Sequence, residues 1–411
     1  MALSSKIKRL IFKKRAPWEQ NLVVLWFGTF MAGMAFSEVM PFLSLYVDTL
    51  GQFSKQQLTF YSGITYSATY LVTALVSPIW GKLADSKGRK LMILRASLGM
   101  AFVIGAMGLV QSIWQLIALR MIQGVFSGYI SNANALLATE TPKEKSGLAL
   151  GTLSTGYVSG NLIGPLLGGI LAEFFSYRIT FFITGAVLLL VFFLSYFFVH
   201  EHFHPVERAK PLSTKEVIGK LDNPKIVFGM FVTTMIIQAS NNSITPILSL
   251  YVRQLMRGIG PVTLVAGIVA AVPGIATLFS APRLGELGDH IGTEKILSIG
   301  FIFAICMYVP MAFVNSVWLL TFFRFMVGIS DGAMLPAVQA ILSKRSPAEV
   351  TGRVFSWNQS FQALGNMSGP LIGSAVSGTF DYGSVFISTS VLVALNFILV
   401  QVNTHLDKNR E

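Results

Sequence analysis

The chain has 411 residues, of which 53% are apolar and 12% charged, about half the charged share of an average soluble domain. That balance excludes an ordinary water-soluble globule, and a single cysteine, Cys306 in an apolar stretch, excludes an internal disulfide framework. A net charge of +12 would suggest nucleic acid in a soluble protein; here the placement of the charges points to a membrane topology and to no nucleic-acid partner.

Residues 1–20 form a basic N-terminus carrying Lys6, Lys8, Arg9, Lys13, Lys14 and Arg15. The apolar run that follows, 21–47, is far longer than the core of a secretory signal and has no small-residue cleavage site after it, so it reads as an uncleaved first span. A spanning helix needs about 20 mostly apolar residues. Runs of that kind fall at 58–80, 91–110, 113–138, 146–172 and 177–199, and again at 225–252, 262–284, 295–314, 316–341, 352–377 and 382–403. Between the two sets, 200–224 is the longest polar stretch, with Arg208, Lys210, Lys215 and Lys220, and 404–411 forms a polar tail. Of 31 Lys and Arg, four (Lys55, Arg178, Arg253, Arg257) fall on the outer side and two (Arg120, Arg324) in the membrane, leaving 25 inside. By the positive-inside rule both termini are cytoplasmic and the number of spans is even. The expected fold is all-α, with twelve transmembrane helices in two six-helix bundles, 21–199 and 225–403, joined by a cytoplasmic linker.

The halves repeat. Pro41 and Tyr46-Val47 recur as Pro246 and Tyr251-Val252, and Pro78, Gly81, Leu83, Asp85 and Gly88 as Pro282, Gly285, Leu287, Asp289 and Gly292. Arg120 and Gly124 recur as Arg324 and Gly328, and Gly160, Gly164, Pro165 and Gly168 as Gly365, Gly369, Pro370 and Gly373. Parallel repeats of this kind put a substrate site near the bilayer midplane between halves and support alternating access by rocking.

Two motifs carry more than packing. The segment Gly81 to Lys90, GKLADSKGRK, is expected as a cytoplasmic loop between spans two and three, its glycines allowing a tight turn and its charges a network at the membrane face. In span five, Gly151, Gly160, Gly164-Pro165 and Gly168-Gly169 fit G-x8-G-x3-G-P-x2-G-G. Gly160, Gly164 and Gly168 share one helix face and permit close approach of a neighbour, while Pro165 removes a backbone donor.

With these residues the chain resembles the major facilitator superfamily. The loop resembles its signature G-x-L-a-D-r-x-G-r-k, with Ser86 where Arg is common, and the span-five pattern resembles the motif of its drug:proton antiporters. FSEVMPFLSLY from Phe36, SNANALLA from Ser131, LALGTLS from Leu148 and DGAMLP from Asp331 resemble a multidrug-resistance group of twelve-span exporters. The resemblance implies a proton-coupled exporter of amphiphilic antibacterials in a bacterial inner membrane, monomeric, with drugs, protons and lipid as its partners. For Gly81, Asp85, Gly88 and Arg89 it implies a conformational latch, with Asp85 approaching the N-terminus of span eleven.

Ionisable residues inside apolar spans are costly and therefore functional candidates. Glu38, Arg120 and Asp331 are the candidates for proton coupling; Arg120 lies in LRMIQGVFSG, which resembles the family's span-four motif. Helix packing remains open for Arg120, a structural polar contact for Asp331, and pairing with a neighbouring polar helix for Glu38. Gln238, Asn241, Asn242, Asn358, Gln359 and Phe361 are candidates for ligand contact, the amides equally for interhelical bonding. His200, His202 and His204 read as a polar interfacial edge and not as a metal site. The sequence carries no HExxH, GxSxG or phosphate-binding glycine loop, which argues against an enzyme or a cofactor. Fold alone does not give direction, so a proton-coupled nutrient importer stays open beside the exporter.

Overall fold

The computed structural model describes residues 16–203 and 214–408. The basic cluster before residue 16, together with His204, Arg208 and Lys210, lies outside the described residues, as does the side chain of Asp85.

Helices dominate because each stretch must satisfy its own backbone where no water is at hand. In chain order they are α1 (Pro17–Ser37), α2 (Leu43–Asp48), α3 (Lys55–Lys87), α4 (Arg89–Met107), α5 (Ile113–Val125), α6 (Tyr129–Glu140), α7 (Ser146–Phe174) and α8 (Tyr177–Phe198). A short α9 (Thr214–Gly219) precedes α10 (Pro224–Ser243), α11 (Thr245–Leu255), α12 (Val262–Ile291), α13 (Thr293–Met311), α14 (Val317–Lys344), α15 (Ala348–Thr379) and α16 (Tyr382–Lys408). These segments follow the expected order of twelve spans. Three expected spans are broken: the first into α1 and α2, the fourth into α5 and α6, and the seventh into α10 and α11. Pro41 lies in the first break and Pro246 at the start of α11, where a residue without an N–H interrupts the ladder at equivalent positions. The break in the fourth span falls at Gly128, whose φ of 105° a side chain rarely tolerates.

Among the described residues, seven helices are long and apolar enough to cross a membrane by composition alone. Large apolar side chains lie outward: Phe102, Leu109, Phe174 and Phe322 are exposed, a surface suited to hydrocarbon and not to water. Trp114 and Trp318 are exposed at the starts of α5 and α14, two residues after the N-caps Ser112 and Ser316, the placement of interfacial anchors.

One expectation is corrected. Gly81 to Lys87 is not a loop but the last two turns of α3; Gly81 is helical, and a side chain there would meet nothing within 4 Å. The turn belongs to Gly88, with φ of 92°, and its repeat Gly292, with φ of 106°. An apolar run marks where lipid ends, and a helix is free to continue into water.

The chain divides into two compact units, Met1–Val39 with Val72–Glu207, and Met40–Leu71 with Arg208–Glu411. In the first, α1 packs along α7 and α4 along α8; in the second, α10 packs along α15 and α12 along α14. The second unit includes the C-terminal end of the first span and the start of the second. There Ser44 donates to the Pro246 carbonyl at 2.7 Å, Ser67 to that of Met367 at 2.7 Å, and Arg253 pairs with Asp48 at 2.6 Å. Asp48 and Arg253, 205 residues apart, occupy equivalent positions of the repeat.

Candidate functional site

The glycines of α7 exist for the sake of α1. A β-carbon on Gly160 would lie 2.0 Å from the Phe30 carbonyl oxygen, on Gly164 2.0 Å from Ser37 Oγ, and on Gly168 1.9 Å from the Glu38 carbonyl oxygen. Gly156, one turn earlier and not part of the pattern, continues the face against Trp26 O at 2.7 Å. Gly169 is buried on the same helix, and Pro165 lies inside it without ending it. Gly151 meets nothing within 4 Å. The close approach brings the end of α1 against the middle of α7, and Glu38 is the residue delivered there.

Glu38 is 1% exposed. Its Oε1 accepts a hydrogen bond from Thr184 Oγ1 of α8, and its Oε2 has no hydrogen-bond partner among the described residues. A buried carboxylate with one hydrogen-bond partner for its two oxygens is under-satisfied. The repeat supplies a comparison inside the same molecule. Glu38 and Thr184 are 146 residues apart; so are Ser243 and Thr389, whose hydroxyls meet at 2.8 Å in the second unit. A β-carbon on Gly373 would lie 1.7 Å from the Ser243 carbonyl oxygen, as one on Gly168 would from Glu38. The same helix junction is thus closed with neutral hydroxyls in one half and with an acid in the other.

The second unit has a partly buried acid of its own. Asp331 Oδ1 accepts from Asn241 Nδ2 at 3.0 Å, and Asn241 Oδ1 accepts from the hydroxyl of Tyr308 at 3.1 Å. Arg324, on the same helix as Asp331, donates through Nε to the Val269 carbonyl at 3.5 Å. Arg120 is buried in the first unit, its guanidinium donating to Gln123 Oε1 at 2.9 Å.

The remaining candidates scatter. Asn242 Nδ2 contacts the Gln238 carbonyl and Asn366 Oδ1, each at 3.0 Å, tying α10 to α15. Asn358 is buried, its Oδ1 without a hydrogen-bond partner among the described residues, and Gln359 is exposed. Phe361 stacks on Phe231 with centroids 5.4 Å apart and meets Phe228 edge-on at 5.6 Å, while Trp357 lies 6.4 Å from Phe231.

At the end of the first unit where α4 begins, Glu201 Oε1 and Oε2 accept the backbone N–H groups of Arg89 and Lys90, each at 2.8 Å, capping α4. A β-carbon on Gly88 would lie 2.8 Å from Glu201 Oε2. On either side, Asn21 Nδ2 donates to the His200 carbonyl at 2.7 Å, and Glu140 accepts from the His202 backbone at 2.6 Å and contacts Nδ1 at 2.9 Å. The hydrogen bond to Glu140 and then its charge hold the His202 imidazole above its ordinary range.

The chain matches the profile of the Major Facilitator Superfamily over residues 25–317 and 230–410. It belongs to the Major Facilitator Superfamily. Its relatives include the multidrug resistance protein MdtG of Salmonella heidelberg (strain SL476) and that of Salmonella arizonae, each 50% identical over 381 residues, covering 93% of this chain and 94% of the relative. Among solved superfamily folds, the bacterial homolog of the human lysosomal transporter Spinster, inward-facing and unoccupied, aligns with a TM-score of 0.79 at 14% identity, over 95% of this chain and 98% of that one. The human organic anion transporter MFSD10 aligns at 0.68 and 16% identity, over 94% and 100%.

Within this superfamily member, sequence reasoning did not find Thr184, Tyr308, Glu201 or Arg95. Arg95 stacks over the Trp80 ring at 3.7 Å and donates to the Val125 and Ser127 carbonyls at 3.2 and 2.7 Å, satisfying backbone freed by the break before Gly128. Thr184 was open to discovery, since Thr389 repeats it. No spacing announces the other three.

Proposed function

We propose that this transporter exports amphiphilic antibacterial compounds across a bacterial inner membrane in exchange for protons, with Glu38 carrying or gating the coupling proton. The observation that carries this reading is the pairing of Glu38–Thr184 with its neutral counterpart Ser243–Thr389. The counterpart joins the same helices without a charge, so the carboxyl is dispensable for packing and its cost calls for another return. The name borne by relatives at 50% identity supports drug export as the direction.

In this reading a buried, neutral Glu38 crosses from one access state to the other, and a cationic drug, which favours the ionised form, competes with the proton for the carboxylate. That competition is antiport. Because Gly168 sits against the Glu38 backbone, movement of α7 and protonation of Glu38 are mechanically linked. Asp331, held by Asn241, is the second carboxyl to consider in coupling, and Arg120 a charge that biases the first unit. Asp85 with Gly88 and Arg89 serves as a latch on the cytoplasmic face, and the aromatic group around Phe361 offers apolar contact to substrate. Both termini lie in the cytoplasm, and the working unit is a monomer in lipid.

Inverted vesicles test the direction. Drug addition should release protons from the lumen; uptake of protons together with a nutrient would replace export by import.

A further inference from the structure

Thr184 offers one hydroxyl proton to two acceptors. Its Oγ1 lies 2.9 Å from the Thr180 carbonyl oxygen, one turn back on α8, and also within hydrogen-bond reach of Glu38 Oε1. A hydroxyl donates once and accepts through its lone pairs, so both contacts hold together only if one of them runs toward Thr184. The Thr180 carbonyl cannot donate. The carboxyl can, when protonated.

We propose that Thr184 is the positioning residue that reads the protonation state of Glu38 through reversal of a single hydrogen bond. With Glu38 neutral, its O–H donates to Thr184 Oγ1 while Thr184 donates to the Thr180 carbonyl, so each hydroxyl hydrogen in the chain of three has an acceptor. With Glu38 ionised, the hydroxyl rotates and donates to Oε1, releasing Thr180. Because Oε2 has no partner, Thr184 is the one side-chain donor that the described residues give the ionised carboxylate. The proton is neither created nor lost: it leaves Glu38 for water or returns from it, and only the direction of the bond between α1 and α8 changes.

The second unit shows the same threonine without the switch. Thr389 Oγ1 contacts the Val385 carbonyl one turn back at 2.7 Å and Ser243 Oγ at 2.8 Å. The arrangement of hydroxyl, helix carbonyl and partner is repeated, but Ser243 cannot ionise in this range. Thr184 and Thr389 therefore form a matched pair, one facing a group whose charge changes and one facing a group whose charge does not.

This inference rests on the reading of Glu38 as the proton site, and the experiment separates the two. In proteoliposomes, the pH at which drug-driven proton release is half-maximal is measured for the wild type, Thr184→Val, Thr184→Ser, Thr389→Val and Glu38→Gln, with Thr184→Ala as a second variant should Thr184→Val not fold. Removing the donor to the charged form costs the ionised state a charge-assisted hydrogen bond, and the pH midpoint should move upward by about one unit, tenfold in proton concentration. Thr184→Ser should keep the wild-type midpoint, and so should Thr389→Val, which deletes the matching bond where no acid is present. A midpoint unchanged in Thr184→Val or Thr184→Ala, or an equal shift in Thr389→Val, overturns the role of Thr184 even if Glu38→Gln is uncoupled. Uphill export retained in Glu38→Gln overturns the Glu38 reading itself and the Thr184 role with it.

Discussion

Replacing Gly168 by alanine tests whether the span-five glycines act by allowing α1 to approach. A β-carbon at Gly168 would stand 1.9 Å from the Glu38 carbonyl oxygen, 2.7 Å from its carbonyl carbon and 2.9 Å from its Cα. All three are backbone atoms of the buried C-cap of α1, so no side-chain rotation relieves the clash. Restoring an ordinary 3.4 Å contact requires the helices to part by about 1.5 Å at that level. Overpacking by one methyl costs about 1 to 3 kcal/mol, and 1.4 kcal/mol is a factor of about ten in an equilibrium. Gly151, in the same motif and the same helix, meets nothing within 4 Å, and alanine there should gain slightly in helix propensity. Scanning fluorimetry of purified protein should therefore show Gly168→Ala melting well below the wild type and Gly151→Ala at or above it, with coupled export reduced about tenfold or more in the first alone. Equal losses in the two variants, or a loss confined to Gly151→Ala, would refute the packing argument.

Two further outcomes concern the turn at Gly88 and the His202–Glu140 pair. Gly88→Ala combines a φ of 92° with a contact to Glu201 at 2.8 Å, and should lose about 1 to 3 kcal/mol of stability, while Gly81→Ala should be silent; thermal melts compare them directly. The imidazole of His202 is raised above its ordinary value by its hydrogen bond to Glu140 and by that residue's charge. A raised folded-state value means the contribution of the pair is complete below about pH 6.5 and fades as pH climbs through the raised value. Histidine-resolved NMR titration in lipid nanodiscs should place His202 above the free imidazole, and Glu140→Gln should bring it back; an identical titration in the two proteins would remove the interaction.

Much of the architecture was legible because hydrocarbon imposes a simple rule on composition, and because the repeat doubles every signal. Pro41 and Pro246 stand at two of the three helix breaks, though the spans around them read as continuous, and Gly160, Gly164 and Gly168 marked a close helix contact before any partner was known. What the repeat could not announce is where a helix continues beyond lipid, which is why Gly81 to Lys87 was expected as a loop. Side-chain partners were harder. Asn241 and Asn242 were visible as polar residues in an apolar helix, but whether their amides face ligand or neighbours depends on rotation about the helix, and the structure turns Asn241 toward Asp331 and Asn242 toward Asn366. Glu201 is one acid at the edge of a polar linker, and only the folded chain carries it to the N–H groups of α4.

The central claim is that Glu38 couples drug movement to proton movement. Its most direct test is transport by Glu38→Gln in proteoliposomes, with an imposed pH gradient and, separately, with a drug gradient alone. The account predicts that the variant no longer concentrates a cationic drug against its gradient when driven by pH, while downhill drug exchange persists at a rate near that of the wild type. A variant that still concentrates the drug under the pH gradient would contradict it and move the coupling site to Asp331.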